Sequence, residues 1–506
     1  MASSLPDYVA SARPVPQANR IPWYKSTAQT YAGIMLWFVF WVSVPVGTGT
    51  PGGTLTQGLF PAFVGLIGAA LLCHAFYYLA PGMLGLKTGL PLYIVGTSTY
   101  GVRGGFLMPG FLMGLLQFGW LGVNAYFASL LLTAPFYEGG TKAWAEGGCM
   151  GSPAHMVVGI AWAVVAAFVG LKGIKYVARV ATFFPLIPLT VLIVLTVASV
   201  GGLKQYGDGQ SRHQMTVQSV ALANQAAEAE AKKTGAAPKE IARPLENDWA
   251  VMSVILTGII GFFATAGAAG TDFGMNNRNG MDVQLGGLVG IAGATIFAGG
   301  LALVIVAGAN GLALAGNEQL KGSLGVVDPT ALMDGLLGKK TGSVFMYLLA
   351  IAAFPPACFS SLIAANSFKT TLPKVNPFIS VGIGTAVSIL LVVTGWAGQV
   401  GDVFNVIGAS FGPICGAMAA DYLLAGKKWA GPRAAFNPAG WISWAVGFVV
   451  GAADLAAKVI PQLAAMKGVI PVPPLAAMIV GFVLYIILAK IGLESRTLEM
   501  PAAAKE

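Results

Sequence analysis

Apolar runs of about 18 to 25 residues recur about a dozen times along the chain, each long enough to cross a hydrocarbon core of about 30 Å as a helix. A chain built this way folds in lipid, where every backbone N–H and C=O must be satisfied within the protein. The runs fall at 30–50, 58–80, 106–133, 154–171, 176–201, 249–271, 283–315, 343–366, 377–396, 402–425, 438–455 and 472–491. They are continuous rather than short and alternating, which argues against a membrane β-barrel. With 56% hydrophobic and 10% charged residues, a soluble domain of this length could not solvate its surface. The expectation is an all-α polytopic membrane protein with about 12 transmembrane helices.

The formal net charge of +9 does not point to nucleic acid. The basic residues are scattered singly along short loops, with no aromatic-rich polar face between them. Lipid topology explains them better: with the N-terminus inside, Lys87, Arg103, Lys172, Lys175, Arg179, Lys369, Lys374, Lys427 and Lys428 all fall on inside segments. The chain is therefore expected in the inner cell membrane as a multi-pass monomer with both termini cytoplasmic. Its expected partners are the bilayer and a small molecule. The polar stretch to Gln29 has no apolar core or small-residue cleavage site, so no cleaved signal peptide is expected. Cys73, Cys358 and Cys415 sit in expected spans and Cys149 in an outside loop, and no disulfide framework or metal-ligand spacing emerges.

The first run dissolves into "SVPVGTGTPGG", Ser43 to Gly53. Pro45 has no N–H, so the Trp41 carbonyl loses its helical partner, and the Val44 carbonyl follows where the chain unwinds. A bare carbonyl in lipid is costly unless protein, water or an ion satisfies it. The sixth run, "GIIGFFATAGAAGTDFG", is similarly interrupted by Gly258, Gly261, Gly267 and Gly270 and ends at Asp272. Close helix packing explains one such run; two of them five spans apart suggest an inverted repeat with broken helices facing a central site. The expected organisation is a cytoplasmic segment 1–29, a first repeat 30–201, an extracytoplasmic insertion 202–248, a second repeat 249–425, two peripheral spans within 426–491 and a cytoplasmic tail 492–506. The insertion is charge-rich and helix-capable, and reads as a solvated appendage.

In the eighth run, "FPPACFSSLIAAN", Pro355 and Pro356 free carbonyls one turn back while Ser360 and Ser361 add hydroxyls. Such oxygens suit a small hard cation, although membrane serines commonly bond back to their own helix. In the third run, Trp120 and Asn124 lie four apart on one face, so an indole plane and a carboxamide are placed to hold a flat ring. Phe262, Phe263 and Asn366 offer further aromatic and amide groups. His74 and Asp272 are the titratable candidates within or beside the spans, each also readable as a structural partner, and Asp421 with Tyr422 reads as interfacial. No Lys or Arg falls at an expected span centre, which favours a neutral or delocalised substrate.

Five stretches in order then resemble the nucleobase:cation symporter family, in its purine-cytosine and hydantoin permease branches. "GLPLYIVGTSTYGVRGG", Gly89 to Gly105, is similar to the family's G-x-P-x-x-x-x-R-x-S-x-G-x-R-G segment. "GWLGVN" resembles its G-W-x-G-x-[QN], and "GFFATAGAAGTDF" its G-x-W-A-T-x-x-x-N-x-x-D-F. "ACFSSLIAAN" resembles A-x-x-S-[ST]-x-x-A-A-N, and "GPICGAMAADYLL" with "FNPAGWISWAVG" resembles P-x-x-G-x-x-x-x-D-Y followed by N-x-x-G-[FW]-x-[AS]-W. The resemblance implies a leucine-transporter type fold with a 5+5 inverted repeat and sodium-coupled, alternating-access uptake of a planar heterocycle. Carried over by position, sodium would be held by the Ala357 carbonyl and the Ser360 and Ser361 hydroxyls, completed by carbonyls near Trp41 and Val44. The ring would lie between Trp120 and Phe263, with Asn124 and Asn366 at its edge and the backbone of Gly261 and Phe262 nearby. The chain departs from the pattern where Phe263 replaces a common Trp, Met275 an Arg and Gly96 another Arg. Two alternatives stay open: a proton-coupled permease using Asp272 or His74, and a membrane sensor that binds without transporting. An enzyme is not expected, since no nucleophile–base pair or metal-ligand cluster is found.

Overall fold

The computed structural model describes residues 5–172, 184–235, 237–238 and 240–500; Lys175, Arg179 and the start of the fifth run lie outside the described residues. The apolar runs become helices and, among the described residues, the only bridges between extended segments are isolated ones. Among the described residues, nine helices are long and apolar enough to cross a membrane: Leu59–Thr88, Phe106–Phe136, Pro153–Lys172, Leu186–Tyr206, Asp248–Ala268, Gly280–Leu314, Lys339–Lys369, Val400–Leu424 and Pro473–Lys490. Another crossing is the bent pair Pro438–Gly451 and Ala453–Val459, at 55°. With the shorter Pro377–Val393 and a two-part first crossing, Thr27–Met35 and Phe38–Val46, the order matches the runs read from the sequence. Side-chain caps start several of these helices, as where Asn247 Oδ1 accepts from Ala250 N and Asn279 Oδ1 from Asp282 N, both at 2.9 Å.

The third crossing packs against the fourth, eighth and ninth, and the sixth against the second and tenth. The second and sixth meet backbone to backbone at one end. A Cβ built on Gly274 would lie 2.1 Å from the Gly82 carbonyl oxygen, and one on Gly85 2.0 Å from that of Thr271. Side chains larger than hydrogen would push these helices apart.

The first crossing is interrupted earlier than the sequence suggested. Thr27–Met35 ends at Leu36, Trp37 is extended (φ −62°, ψ 131°), and the helix restarts at Phe38. Pro45 lies inside the second half, which stops at Gly47 with φ 63°. The chain after it folds back onto that helix end. Thr54 Oγ1 donates to the Val44 carbonyl at 2.9 Å and lies 3.4 Å from that of Pro45. A Cβ on Gly53 would come 2.1 Å from the Pro45 oxygen. The glycine-rich stretch is thus a packed turn that closes the helix, and the Val44 and Pro45 carbonyls at its end are met by Thr54. The sixth crossing also differs: it runs unbroken through Gly261–Phe263 to Ala268 and bends only at Ala269, before the short Gly270–Gly274.

The insertion is docked rather than loose. Its helix Gly209–Thr234 is capped by Asp208, whose carboxylate accepts from Ser211 N at 2.6 Å. Tyr206 donates to the Leu55 carbonyl at 3.0 Å, Gln57 to that of Leu245 at 2.9 Å, and Ser219 to that of Gly325. It therefore packs on the turn that closes the first crossing.

The segments before the first crossing and after the last, as far as residues 5 and 500, pack at the other end of the bundle. Val15 N donates to the Gly89 carbonyl at 2.9 Å, Arg20 Nη1 to that of Leu86 at 2.7 Å, Ile21 N to that of Asn276 at 2.8 Å and Tyr8 to that of Val102. The C-terminal segment pairs with the loop after the tenth crossing, where Leu498 N donates to the Pro432 carbonyl at 2.7 Å. Arg433 joins the two by ion pairs to Asp421 at 2.8 Å and Glu494 at 2.7 Å.

Candidate substrate and cation site

The extended residue Trp37 turns an aromatic side chain into the middle of the bundle, where helices from four crossings converge. Trp37 and Trp120 have ring centroids 6.3 Å apart. Trp120 lies edge-on to Phe262 at 4.7 Å and tilted against Phe404 at 5.5 Å, and Phe262 and Phe404 are 5.3 Å apart. Phe40 adds a further contact to Phe262 at 4.9 Å. Trp120 Nε1 donates to Thr265 Oγ1 at 3.3 Å. The Trp37 indole N–H is buried with no hydrogen-bond partner among the described residues, an expensive state for a donor away from water.

Several expected residues take other places. The ring facing Trp120 is Phe262; Phe263 is fully buried and its ring packs 5.8 Å from Tyr31. Adjacent positions on a continuous helix point about 100° apart, so both cannot face the third crossing. A flat ring held between two planes needs roughly 7 Å, twice a 3.5 Å contact, which the 4.7 Å between Trp120 and Phe262 does not leave. Gly261 lets the sixth helix approach the tenth, since a Cβ there would meet the Phe404 carbonyl at 2.7 Å.

Asn124 is buried and spent on neighbours. Its Nδ2 donates to the Ala353 carbonyl at 2.9 Å, and its Oδ1 accepts from Trp162 Nε1 at 3.0 Å. It thereby ties the third, fourth and eighth crossings together. Asn366 is exposed, farther along the eighth helix.

The cation residues divide in the same way. Ala357, Ser360 and Ser361 share one turn of the eighth crossing, a helix continuous from Lys339 to Thr371 despite Pro355 and Pro356. Ser360 Oγ bonds back to the Pro356 carbonyl at 3.3 Å. Ser361 is fully buried, and its hydroxyl has no partner among the described residues. Val44 does not join them: its carbonyl takes the Thr54 hydroxyl, and its side chain faces Gly299 of the seventh crossing. Trp41 is fully buried in the half-helix Phe38–Val46, its indole N–H without a partner among the described residues. The helix end at Leu36 leaves other carbonyls instead. Leu36 N bonds the Ala32 carbonyl at 2.9 Å and Trp37 N that of Ile34 at 3.4 Å, so those of Gly33 and Met35 take no backbone N–H from the residues that would continue the helix.

The titratable candidates have structural surroundings. Asp272 accepts from Leu92 N at 2.9 Å, holding the segment after the second crossing. His74 lies in a wide π-helical turn, Cys73–Tyr78, beside Gly287 of the seventh crossing, and its Nδ1 is buried without a partner among the described residues. Asp421 is buried and accepts from Ser98 at 2.6 Å, Tyr485 at 3.1 Å and Arg433 at 2.8 Å.

Sequence reading did not single out Trp37, Thr265 and Phe404, which the structure places around Trp120. The signal for Trp37 was faint: "IMLWFVF" carries no breaker, and only tertiary packing shows that the helix parts there. Phe404 lies in "DVFNVIGAS", three residues before the Ile407–Gly408 stretch that packs on the sixth helix, a relation no single sequence displays.

A sequence profile described as permease for cytosine/purines, uracil, thiamine, allantoin matches residues 20–431. Among solved structures, the chain resembles Mhp1 in its inward facing conformation, with a TM-score of 0.61 and 17% identity over 98% of this chain and 97% of that one. It also resembles Mhp1, there described as a nucleobase-cation-symport-1 family transporter, in a closed conformation with bromovinylhydantoin bound. That match has a TM-score of 0.60 and 16% identity over 96% and 97% of the two chains. A Na+-coupled sialic acid symporter in a substrate-bound outward-open state matches with a TM-score of 0.53 and 13% identity over 98% and 93%. These likenesses show the fold. No curated protein sequence matches the chain.

Proposed function

The chain belongs to the family of permeases for cytosine/purines, uracil, thiamine and allantoin, and from that premise we propose that it imports a planar, nucleobase-like heterocycle by cation-coupled alternating access. As a member it is a multi-pass membrane transporter, not an enzyme. The observation that carries the substrate reading is Trp37: an unpartnered indole donor at the break of the first crossing, beside the Trp120 face. An indole N–H needs an acceptor when buried, and the carbonyl or ring nitrogen of a heterocycle supplies one. Trp120 offers the stacking plane, and Phe262 or Phe404 must swing aside to admit the ring. Asn366 remains the proposed edge contact, whereas Asn124 acts by holding the third helix in place.

For the coupling ion we propose sodium, bound by the Ala357 carbonyl, the Ser361 and Ser360 hydroxyls, and carbonyls exposed at the Leu36–Trp37 break in place of those at Trp41 and Val44. A hard monovalent cation suits neutral oxygens, and the unpartnered Ser361 hydroxyl has a lone pair to give. The division into two inverted repeats, 30–201 and 249–425, with the insertion on the extracytoplasmic side and both termini cytoplasmic, belongs to the same proposal.

A thermal-shift screen of the detergent-purified protein against nucleobases, hydantoins and thiamine, each with and without sodium, tests this reading, because a ligand that binds only the folded state raises its stability. A compound that stabilises only with sodium supports it. Stabilisation equal in sodium and choline, but dependent on pH, would transfer the coupling to protons.

A further inference from the structure

At the end of the bundle where the N-terminal segment packs, three cations converge on one cleft of about 390 Å³. Arg13 comes from the N-terminal segment, Lys87 from the end of the second crossing and Lys428 from the loop after the tenth, and among the described residues no acidic side chain lines the cleft. Leu90, Trp429 and Met500 supply apolar wall.

Two of the three cations are tethered in place. Arg13 Nη1 donates to the Ala10 and Ala12 carbonyls, both at 3.2 Å. Lys87 Nζ donates to the Lys427 carbonyl and stands 5.4 Å from the centroid of the Tyr422 ring. Trp429, next to Lys428, is pinned by its indole N–H to the Val95 carbonyl at 2.9 Å. Three like charges facing one cleft repel each other, and an anion between them reverses the sign of that interaction. Leu423 and Leu424, at the end of the tenth crossing that leads to Lys428, are exposed apolar side chains. A basic wall beside an apolar one at a membrane end matches a phosphate group carried on a lipid.

We propose that this cleft binds a phosphate-bearing anion, supplied by the headgroup of an anionic phospholipid. The bound headgroup joins the N-terminal segment to the loop after the tenth crossing, two pieces otherwise held to the core separately.

The test adds phosphatidylglycerol, phosphatidylcholine or inorganic phosphate to the full chain purified in detergent. Retained lipid is read by native mass spectrometry and stabilisation by thermal shift. The cleft variant is Arg13→Gln with Lys87→Gln and Lys428→Gln. The control, Lys204→Gln with Lys340→Gln and Lys467→Gln, removes the same charge from exposed lysines outside the cleft. Wild type and control should retain phosphatidylglycerol over phosphatidylcholine, while the cleft variant should lose affinity by roughly tenfold or more. Lys87→Arg, which keeps the charge, should bind as wild type does. Inorganic phosphate stabilising the protein as well as the lipid does, again only with the cleft intact, would keep the anion site and overturn its lipid source. Equal loss in both triple variants, or no preference for phosphatidylglycerol in wild type, would overturn the site itself.

Discussion

The first crossing is interrupted in two places, and the two differ in a way that the sequence alone inverts. The stretch around Pro45 to Gly53 carries every local sign of a broken helix, yet Thr54 meets the carbonyls at its helix end and its glycines close a tight turn, with the Thr50 hydroxyl the polar group left unpartnered among the described residues. The stretch at Leu36 and Trp37 carries no such sign, yet it leaves a buried indole N–H unpartnered and helix-end carbonyls without their N–H groups. A polar group satisfied by its own chain stabilises; one held unsatisfied in a packed interior calls for an explanation, of which a bound ligand is one. In the proposed reading, the loud break closes a helix end and the quiet one faces the substrate.

Substitutions sharpen this contrast, and the largest effects belong to the satisfied regions. Gly53→Ala forces a Cβ onto the Pro45 carbonyl at a residue with φ 55°. It should cost about 4 kcal/mol of stability, read as a large loss of thermal stability. Protein that survives should keep its sodium dependence. Asn124→Ala strands the Ala353 carbonyl and the Trp162 N–H and should cost about 2 to 4 kcal/mol; a variant of native stability with weakened ligand binding would instead return Asn124 to the substrate's edge. Thr54→Val removes one hydroxyl from the Val44 carbonyl and should cost about 1 kcal/mol, with sodium dependence intact. Were sodium dependence lost while stability held, the Val44 carbonyl would be a cation ligand and the contrast would fail. Ser361→Ala should change the stability of the sodium-free protein least, because the hydroxyl has no partner to lose. It should nevertheless blunt the stabilisation that sodium gives, measured by thermal shift across a sodium titration.

The crossings were legible because lipid imposes a length and an apolarity on each helix that short windows of sequence display. Trp120 was legible as a candidate for the same local reason, being an aromatic residue one turn from an amide on a single face. What escaped is set by neighbours. Whether Phe262 or Phe263 meets Trp120 depends on the rotation of the sixth helix, and that rotation is fixed where Gly261 packs on the tenth. Asn124 reads equally well as ligand contact or helix tie until Trp162 and the Ala353 carbonyl are seen beside it. The insertion's polar composition suggested an appendage, and only the bonds of Tyr206, Gln57 and Ser219 show it docked on the closing turn.

The central claim is that the Leu36–Trp37 break, not the Pro45 turn, forms the binding site. Its most direct measurement is the affinity of the ligand selected by the thermal screen, taken side by side for wild type, Trp37→Phe and Pro45→Ala in saturating sodium. Trp37→Phe keeps the ring and deletes the donor, so it should bind about tenfold more weakly, the equivalent of one hydrogen bond of about 1.4 kcal/mol. Pro45→Ala should stay within about twofold of wild type. Unchanged affinity in Trp37→Phe together with a large loss in Pro45→Ala would contradict the account and put the site back at the glycine-rich turn.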